Sequence, residues 1–268
     1  INNKNKNSFL KKLSKDLQVS FDKIETKLSI PINNFNLIGS IKKGKFVKIS
    51  SKSEFSRNKY LDISLKNSIN SGDRILEIYS DMPKVILADY NFFNGINEGK
   101  LLYVLKYNDE KSSSNLRIDN FKVKNAPAFA KLLSLADFRG AADLLSGEGI
   151  SFETLEIKLS QNNDILNIDE LYAVGPSISI LMDGYVDYNT GLTSLRGSMV
   201  PARELNRLIS KIPILGDILI GKEIGEGVFG VSFKIKGKSK KLKTTVNPLK
   251  TITPRFITRA LEKRKKKN

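Results

Sequence analysis

Apolar and polar residues alternate with a period of two through much of the segment from Gly149 to Pro254. Successive side chains of a β-strand point to opposite faces, so each alternating run predicts a strand with one apolar and one polar face. Such strands, joined by tight turns, form an antiparallel sheet with a continuous apolar surface on one side. That surface is either half of a core or a groove for an apolar ligand. The alternating apolar residues are Leu155, Ile157 and Leu159, then Ile178, Ile180, Met182 and Val186, and finally Val231, Phe233 and Ile235.

Turn signals divide the rest of the chain into similar short runs. Lys43-Gly44 and Asn162-Asn163 are typical turn residues between strands. Close spacing without long interruptions predicts a mainly β chain, folded as a long antiparallel meander and not as βαβ units. The pattern over 81–93 is ambiguous. Strands are predicted near 33–38, 45–49, 60–65, 74–79, 99–107, 116–123, 151–160, 164–173, 177–188 and 191–199.

Short helices are predicted near 127–145, 202–212 and 254–264. The second one places apolar residues on one helical face, and an apolar stretch follows it from Pro213 to Ile220. Arg207, Lys211 and Asp217 interrupt this region and exclude a membrane span. Two interpretations remain: a lid packed on the open sheet, or a gate or shallow membrane element. The candidate lid or membrane-contact residues are Leu208, Ile212, Ile214, Leu215, Ile218 and Leu219.

The last segment, Thr253 to Lys267, combines an apolar stripe with many basic residues. A basic amphipathic helix of this kind can lie on an anionic surface, where each cation contributes about 1 kcal/mol. The alternative is a solvated tail whose apolar stripe covers the last strand. The candidates for head-group or membrane-surface contact are Arg255, Arg259, Lys263 and Arg264.

Composition narrows the possible chemistry. The 268-residue chain contains no cysteine and no histidine, which removes disulfides, thiol nucleophiles and the commonest zinc ligands. Glu153 with Glu156, and Asp169 with Glu170, fall on polar strand positions or turns and are predicted to be solvated. The glycine-rich run 224–231 resembles a kinase phosphate loop, but too little chain follows it for a catalytic domain. We therefore predict no catalytic residue, no metal site, no cofactor and no enzymatic activity.

The net charge of +17 is unevenly distributed. Residues 1–60 carry 14 Lys and Arg against 4 Asp and Glu, and residues 231–268 carry 14 against 1. Residues 61–230 carry 17 against 23. Basic ends are compatible with nucleic acid or an anionic membrane. The aromatic residues, however, lack the basic interleaving typical of RNA-binding strand platforms, so nucleic acid is not a predicted partner.

Five sequence blocks occur in an order that resembles the C-terminal region of AsmA-like proteins, with the YhdP-like members of Gram-negative envelopes as the nearest group. They span Asp137 to Leu261, less than half of the chain. The resemblance implies a periplasmic segment of a protein anchored in the inner membrane upstream of Ile1. It also implies a curved, groove-like β-sheet for phospholipid passage towards the outer membrane. The blocks are 142–152, 174–179, 197–202, 211–219 and 246–254.

Three domains are predicted under this hypothesis: a β extension at 1–125, an AsmA-like β domain at 126–253 and a basic tail at 254–268. The alternating apolar residues would line a phospholipid-holding groove, and the basic ends would meet phosphate head groups. Phospholipid, a bacterial membrane surface and other envelope proteins are the expected partners. The alternative is a scaffold for outer-membrane assembly, in which the same sheet is packed shut as an ordinary core.

Overall fold

The computed structural model describes residues 13–68, 72–90, 92–108, 111–136, 147–202, 230–238, 241–249 and 259. Strands dominate this part of the chain, and two short helices accompany them. The helices are α1 (Pro83–Asp89) and α2 (Pro127–Leu135). The strands are β1 (Lys15–Ile24), β2 (Ile32–Lys42), β3 (Lys45–Ser56), β4 (Lys59–Asn67), β5 (Arg74–Ser80), β6 (Ile96–Asn97), β7 (Lys100–Tyr107), β8 (Lys111–Val123), β9 (Ile150–Asn162), β10 (Ile165–Val174), β11 (Ile178–Asp187), β12 (Leu192–Pro201), β13 (Gly230–Lys238) and β14 (Lys243–Leu249).

The described strands form a fourteen-stranded antiparallel meander that is not closed. They follow one another in chain order, except that the two-residue β6 pairs with β8 outside the main path. The predicted fold class, a mainly β antiparallel meander, is confirmed. The ambiguous stretch 81–93 contains α1. The helices predicted near 202–212 and 254–264 lie almost entirely outside the described residues.

The chain divides into two compact units. The first comprises Ile1–Lys122 together with Lys158–Asn163, and the second comprises Val123–Ile157 and Asp164–Asn268. The division therefore also passes through β9, between Ile157 and Lys158. The sequence predicts a single boundary in this part of the chain, near residue 125.

Hairpin turns of the first unit use residues that tolerate a left-handed backbone. Lys43 and Gly44, between β2 and β3, have φ of 51° and 74°. Asn58 follows β3 with φ of 59°, and Asn163 follows β9 with φ of 52°. Two consecutive positive φ values match the right-handed twist of the flanking strands. The predicted turn at Lys43-Gly44 is present. The turn predicted at Asn162-Asn163 lies one residue later, at Asn163 and Asp164, because Asn162 is the last residue of β9.

In the first unit, the register places apolar residues of seven strands on one face. Ile63 lies opposite Ile78, Ile78 opposite Tyr103, and Tyr103 opposite Leu116. Directly opposed residues of an antiparallel pair share a face, so one register relation fixes the next. This apolar face of the first unit comprises Leu17, Val19, Phe21, Phe35, Leu37, Ile49, Leu61, Ile63, Leu65, Leu76, Ile78, Leu101, Tyr103, Leu105, Leu116 and Ile118.

Helix α1 covers one end of this apolar face. Val85, on the helix, belongs to one hydrophobic cluster with Leu61 of β4, Phe55 of β3 and Ile32 of β2. Pro83 stands in the first helical turn, where its missing N–H costs nothing. Burying the Val85 side chain contributes about 1.5 kcal/mol or more, which offsets the low intrinsic stability of so short a helix.

The junction between β5 and α1 is held by a polar cluster around Asp81. The Tyr79 hydroxyl donates to Asp81 Oδ1 at 2.7 Å, and the Tyr60 amide donates to Asp81 Oδ2 at 3.1 Å. The Met82 amide donates to Ser80 Oγ at 3.0 Å. Burial, followed by the hydrogen bond to Asp81 and the negative charges of Asp81 and Asp62, raises the pKa of Tyr79 to about 12.

This raised pKa predicts a stability loss in strongly basic solution. The folded state favours neutral Tyr79, so its contribution is present below pH 10.0 and is lost as the pH rises towards about 12. Between these pH values, the free energy of unfolding of the wild type should fall more steeply than that of Tyr79→Phe. Urea unfolding at several pH values measures both. Parallel curves for the two proteins would contradict the assigned Tyr79–Asp81 interaction.

Candidate functional site

The register of the second unit places the predicted groove residues of two separate runs on one sheet face. Ile180 of β11 lies opposite Met199 of β12, and Met199 lies opposite Val231 of β13. Likewise, Gly197 of β12 lies opposite Met182 of β11 on one side and opposite Phe233 of β13 on the other. The seven predicted residues that share this face are Ile178, Ile180, Met182 and Val186 of β11 with Val231, Phe233 and Ile235 of β13.

Neighbouring strands extend this apolar face in both directions. Ala173 and Leu171 of β10 pair with Ile180 and Met182, and Val246 of β14 pairs with Phe233. Leu195 and Met199 lie between β11 and β13. The apolar face of the second unit is therefore defined by Leu166, Ile168, Leu171, Ala173, Ile178, Ile180, Met182, Val186, Leu195, Met199, Val231, Phe233, Ile235 and Val246.

The opposite face of the same strands is largely polar. Arg196 Nε donates to Asp183 Oδ2 at 2.9 Å across the β11–β12 pair, and Lys234 lies opposite Arg196. Ser194 lies opposite Lys236 in the same row. The period-two pattern predicts one apolar and one polar face, and β11, β12 and β13 have these two faces.

Burial varies along the apolar face. Met199 is 0% exposed and Phe233 is 2% exposed, so this end of the face is fully covered. Towards the other end, Met182, Val186 and Ile235 remain partly exposed. Ser179 and Val200, on the opposite face at the covered end, are also buried. One end of the second unit is hence a closed core, and the other end leaves apolar side chains accessible.

Phe233 fills the space above a glycine at the covered end. A Cβ atom added to Gly197 would lie 2.5 Å from Phe233 Cζ and 2.6 Å from the Leu181 carbonyl oxygen. The phenyl ring lies where the glycine leaves room, an arrangement that covers the otherwise bare backbone of a strand glycine. Phe233 therefore packs against its own sheet.

Beside these strands, a buried ion cluster connects β9, β10 and Arg259. Arg259 Nη2 lies 2.7 Å from Glu156 Oε2 and 2.9 Å from Glu170 Oε1. Its Cζ atom lies 5.2 Å from the centroid of the Tyr172 ring. The side chains are 14% exposed for Arg259, 19% for Glu156 and 8% for Glu170. A guanidinium between two carboxylates and an aromatic ring combines charge pairing with a cation–π contact.

The ion cluster also shows on which side of the sheet Leu155 and Ile157, two predicted groove residues, lie. Glu156 and Glu170 both contact Arg259, so they lie on the same side of the sheet. Leu171, next to Glu170, belongs to the apolar face. Leu155 and Ile157 flank Glu156 in β9 and so lie on the apolar side as well. Leu159 is half-buried in the part of β9 grouped with the first unit.

Three sequence predictions are corrected here. Glu156 and Glu170 were expected to be solvated, but both are largely buried against Arg259. Arg259 was expected to contact a membrane surface, but its guanidinium is occupied by these carboxylates. The reason for the Glu170 position is a register shift between Ile168 and Leu171, which inserts an extra residue and directs Glu170 to the side of Tyr172. The sequence gives no local signal for this site, because Arg259 lies far from both carboxylates along the chain.

The remaining predicted site residues lie outside the described part of the chain. These are Leu208, Ile212, Ile214, Leu215, Ile218, Leu219, Arg255, Lys263 and Arg264. Within the described ranges, no helix is long and apolar enough to cross a bilayer, and no cluster of acidic residues is arranged to hold a metal ion.

Comparison with known proteins gives no match: no family model fits the chain, and neither curated proteins nor solved structures are similar to it. The AsmA-like resemblance therefore stays a prediction.

We predict that the Arg259 cluster stabilises the second unit. Removing the guanidinium in Arg259→Met leaves two carboxylates buried without their cation, which should lower the free energy of unfolding by roughly 3 kcal/mol. The triple variant Arg259→Met, Glu156→Met, Glu170→Leu should recover much of this loss, because no buried charge remains. Urea unfolding measures all three proteins. Equal stability of wild type and Arg259→Met would contradict the cluster.

Proposed function

We propose that the chain holds phospholipid by contacting acyl chains with the apolar faces of its sheet units. The observation that supports this proposal is the partly exposed end of the second unit's apolar face, where Met182, Val186 and Ile235 remain accessible. A row of partly exposed apolar side chains on one face of a sheet is typical of a surface that receives a ligand.

The physical benefit of such a surface follows from the cost of exposing a lipid to water. Each acyl CH₂ group left in water costs about 0.8 kcal/mol, so a chain of about sixteen carbons costs on the order of 12 kcal/mol. A continuous apolar face reduces this cost along its whole length. A discrete pocket would do so for only a few carbons. Neighbouring strands that place apolar side chains on one face are well suited to an elongated apolar ligand.

The first unit presents a second face of the same kind. Leu76, Ile78, Tyr103, Leu105 and Leu116 are only partly buried, although they lie in the middle of neighbouring strands. A partly exposed apolar sheet face therefore occurs in each unit. Binding of long acyl chains would explain why both units have a partly exposed apolar face.

Location and transport belong to the same proposal. The AsmA-like resemblance suggests a periplasmic segment, anchored in the inner membrane, that passes phospholipid towards the outer membrane. The basic residues at both ends of the sequence supply positive charge for phosphate head groups. Arg259 does not belong to this set, because its guanidinium is paired with Glu156 and Glu170.

A second candidate function, a scaffold for envelope assembly without lipid, is favoured by the covered end of the second unit. Ile178, Met199 and Phe233 are buried there as in an ordinary core. If the whole apolar face were occupied by the chain itself, the sheet would serve only as a rigid body for protein contacts. Direct measurement of bound lipid separates the two functions.

Charged substitutions on the apolar face should abolish lipid binding. We expect phospholipid to co-purify with the wild type and to be reduced about tenfold or more in Ile180→Asp/Met182→Asp, because each carboxylate would have to be desolvated against acyl chains. Native mass spectrometry with lipid extraction measures the bound fraction.

The matched control is Ser194→Asp/Lys236→Asp, which introduces the same side chains on the polar face of β12 and β13. This variant should keep the lipid of the wild type. A folded wild-type protein without lipid, or equal lipid in both variants, would overturn the proposal and favour the scaffold.

A further inference from the structure

The segment that follows α1 exposes three aromatic side chains close together. Phe92 is 75% exposed, Tyr90 is 64% exposed and Phe93 is 41% exposed. Among the described large hydrophobic residues, Phe92 has the highest exposed fraction. Burying a phenylalanine normally contributes about 1.5 to 3 kcal/mol, so three exposed aromatics in four positions need a reason.

The backbone of this segment is fixed by hydrogen bonds to the end of α1. The amides of Phe92 and Phe93 both donate to the Leu87 carbonyl, at 2.8 and 3.1 Å, and the Tyr90 amide donates to the Ile86 carbonyl at 3.3 Å. Asp89 accepts a hydrogen bond from the Ser29 amide at 2.6 Å. Because Val85 and Leu87 are buried, this backbone is tied to a packed helix. The amides of Tyr90, Phe92 and Phe93 are thus tied to a packed helix, while their side chains are exposed.

The chemistry of the segment suits a lipid interface. No charged residue occurs from Tyr90 to Asn97, in a chain that is 27% charged. The nearest carboxylate along the chain, Asp89, accepts the Ser29 hydrogen bond, and Lys84 of α1 is exposed. Tyrosine and phenylalanine at the surface can insert their rings among lipid head groups. The net positive charge of the chain favours anionic lipid.

The size of the segment favours a membrane over a folded protein partner. The three side chains together expose roughly 400 Å², if each aromatic offers about 200 Å² in full. A stable protein interface needs about 800 Å² on each partner. A bilayer requires no complementary surface, so a small aromatic segment is sufficient for shallow insertion.

We propose that Tyr90, Phe92 and Phe93 form a membrane-contact site that inserts into the head-group region of a bilayer. Helix α1, which precedes the site in the chain, packs on one end of the first unit's apolar face. Membrane contact itself does not require that the apolar faces hold lipid.

A single tryptophan tests the site, because the chain contains none. Phe92→Trp in the 268-residue chain places the reporter at the centre of the proposed site. Tyr188→Trp is the matched control, since Tyr188 is 60% exposed in the hairpin between β11 and β12. Tryptophan emission is recorded with and without vesicles of phosphatidylethanolamine and phosphatidylglycerol, and again with brominated lipid as quencher.

We expect the emission of Phe92→Trp to shift to shorter wavelength with vesicles and to be quenched by brominated lipid, while Tyr188→Trp changes little. Co-flotation with the vesicles should fall about tenfold in Phe92→Ser/Phe93→Ser, because two inserted rings are lost. No shift in Phe92→Trp would overturn the site. Equal shifts in both reporters would overturn it in favour of adsorption by the basic chain. A concentration-dependent shift without vesicles would overturn it in favour of contact between copies.

Failure of this site is distinguishable from failure of the proposed function. The Phe92→Ser/Phe93→Ser variant leaves both apolar sheet faces unchanged, so it should still carry phospholipid in native mass spectra. Loss of vesicle contact with retained lipid supports a separate membrane-contact site. Loss of bound lipid together with vesicle contact would overturn the separation of the two roles.

Discussion

Cross-strand register is the constraint on which the rest of this structure depends. In an antiparallel pair, opposed residues share a face, so a shift of one residue would move every apolar side chain to the polar side. Here the register runs from Val19 through Leu37, Ser51, Ile63 and Ile78 in the first unit without leaving the apolar face. It runs from Ala173 through Ile180 and Met199 to Val231 in the second. Turns with a suitable left-handed backbone, such as Lys43-Gly44, help to fix that register.

Both units close one part of their apolar face and leave another part accessible. In the first unit, Val85 of α1 joins a cluster with Phe55 and Leu61. In the second, Met199 and Phe233 are buried while Val186 stays partly exposed. A fully exposed apolar sheet would aggregate, and a fully covered one would have no room for a ligand. The combination gives each unit a folded core and a remaining surface for acyl chains.

The alternation of residues such as Ile178, Ile180 and Met182 was sufficient to predict the strands, the antiparallel meander and the sidedness of the sheet. Period-two patterns carry that information locally. Sequence reasoning failed at Glu170, which lies on the polar side of the sheet but is covered there by Arg259. It also failed at Arg259, whose partner Glu156 lies 103 positions away in sequence. Exposure of Phe92 depends on how α1 packs, which composition does not determine.

The central claim, that acyl chains contact one face of the sheet and not the other, can be tested at two adjacent residues. Val186 points to the apolar face and Tyr185 to the polar face, and both are partly exposed. A photoreactive benzoyl-phenylalanine at each position, irradiated in the presence of phospholipid, should form lipid adducts at position 186 and few at position 185. Adducts of equal yield at both positions, or none at 186, would contradict the assignment of the apolar face to lipid.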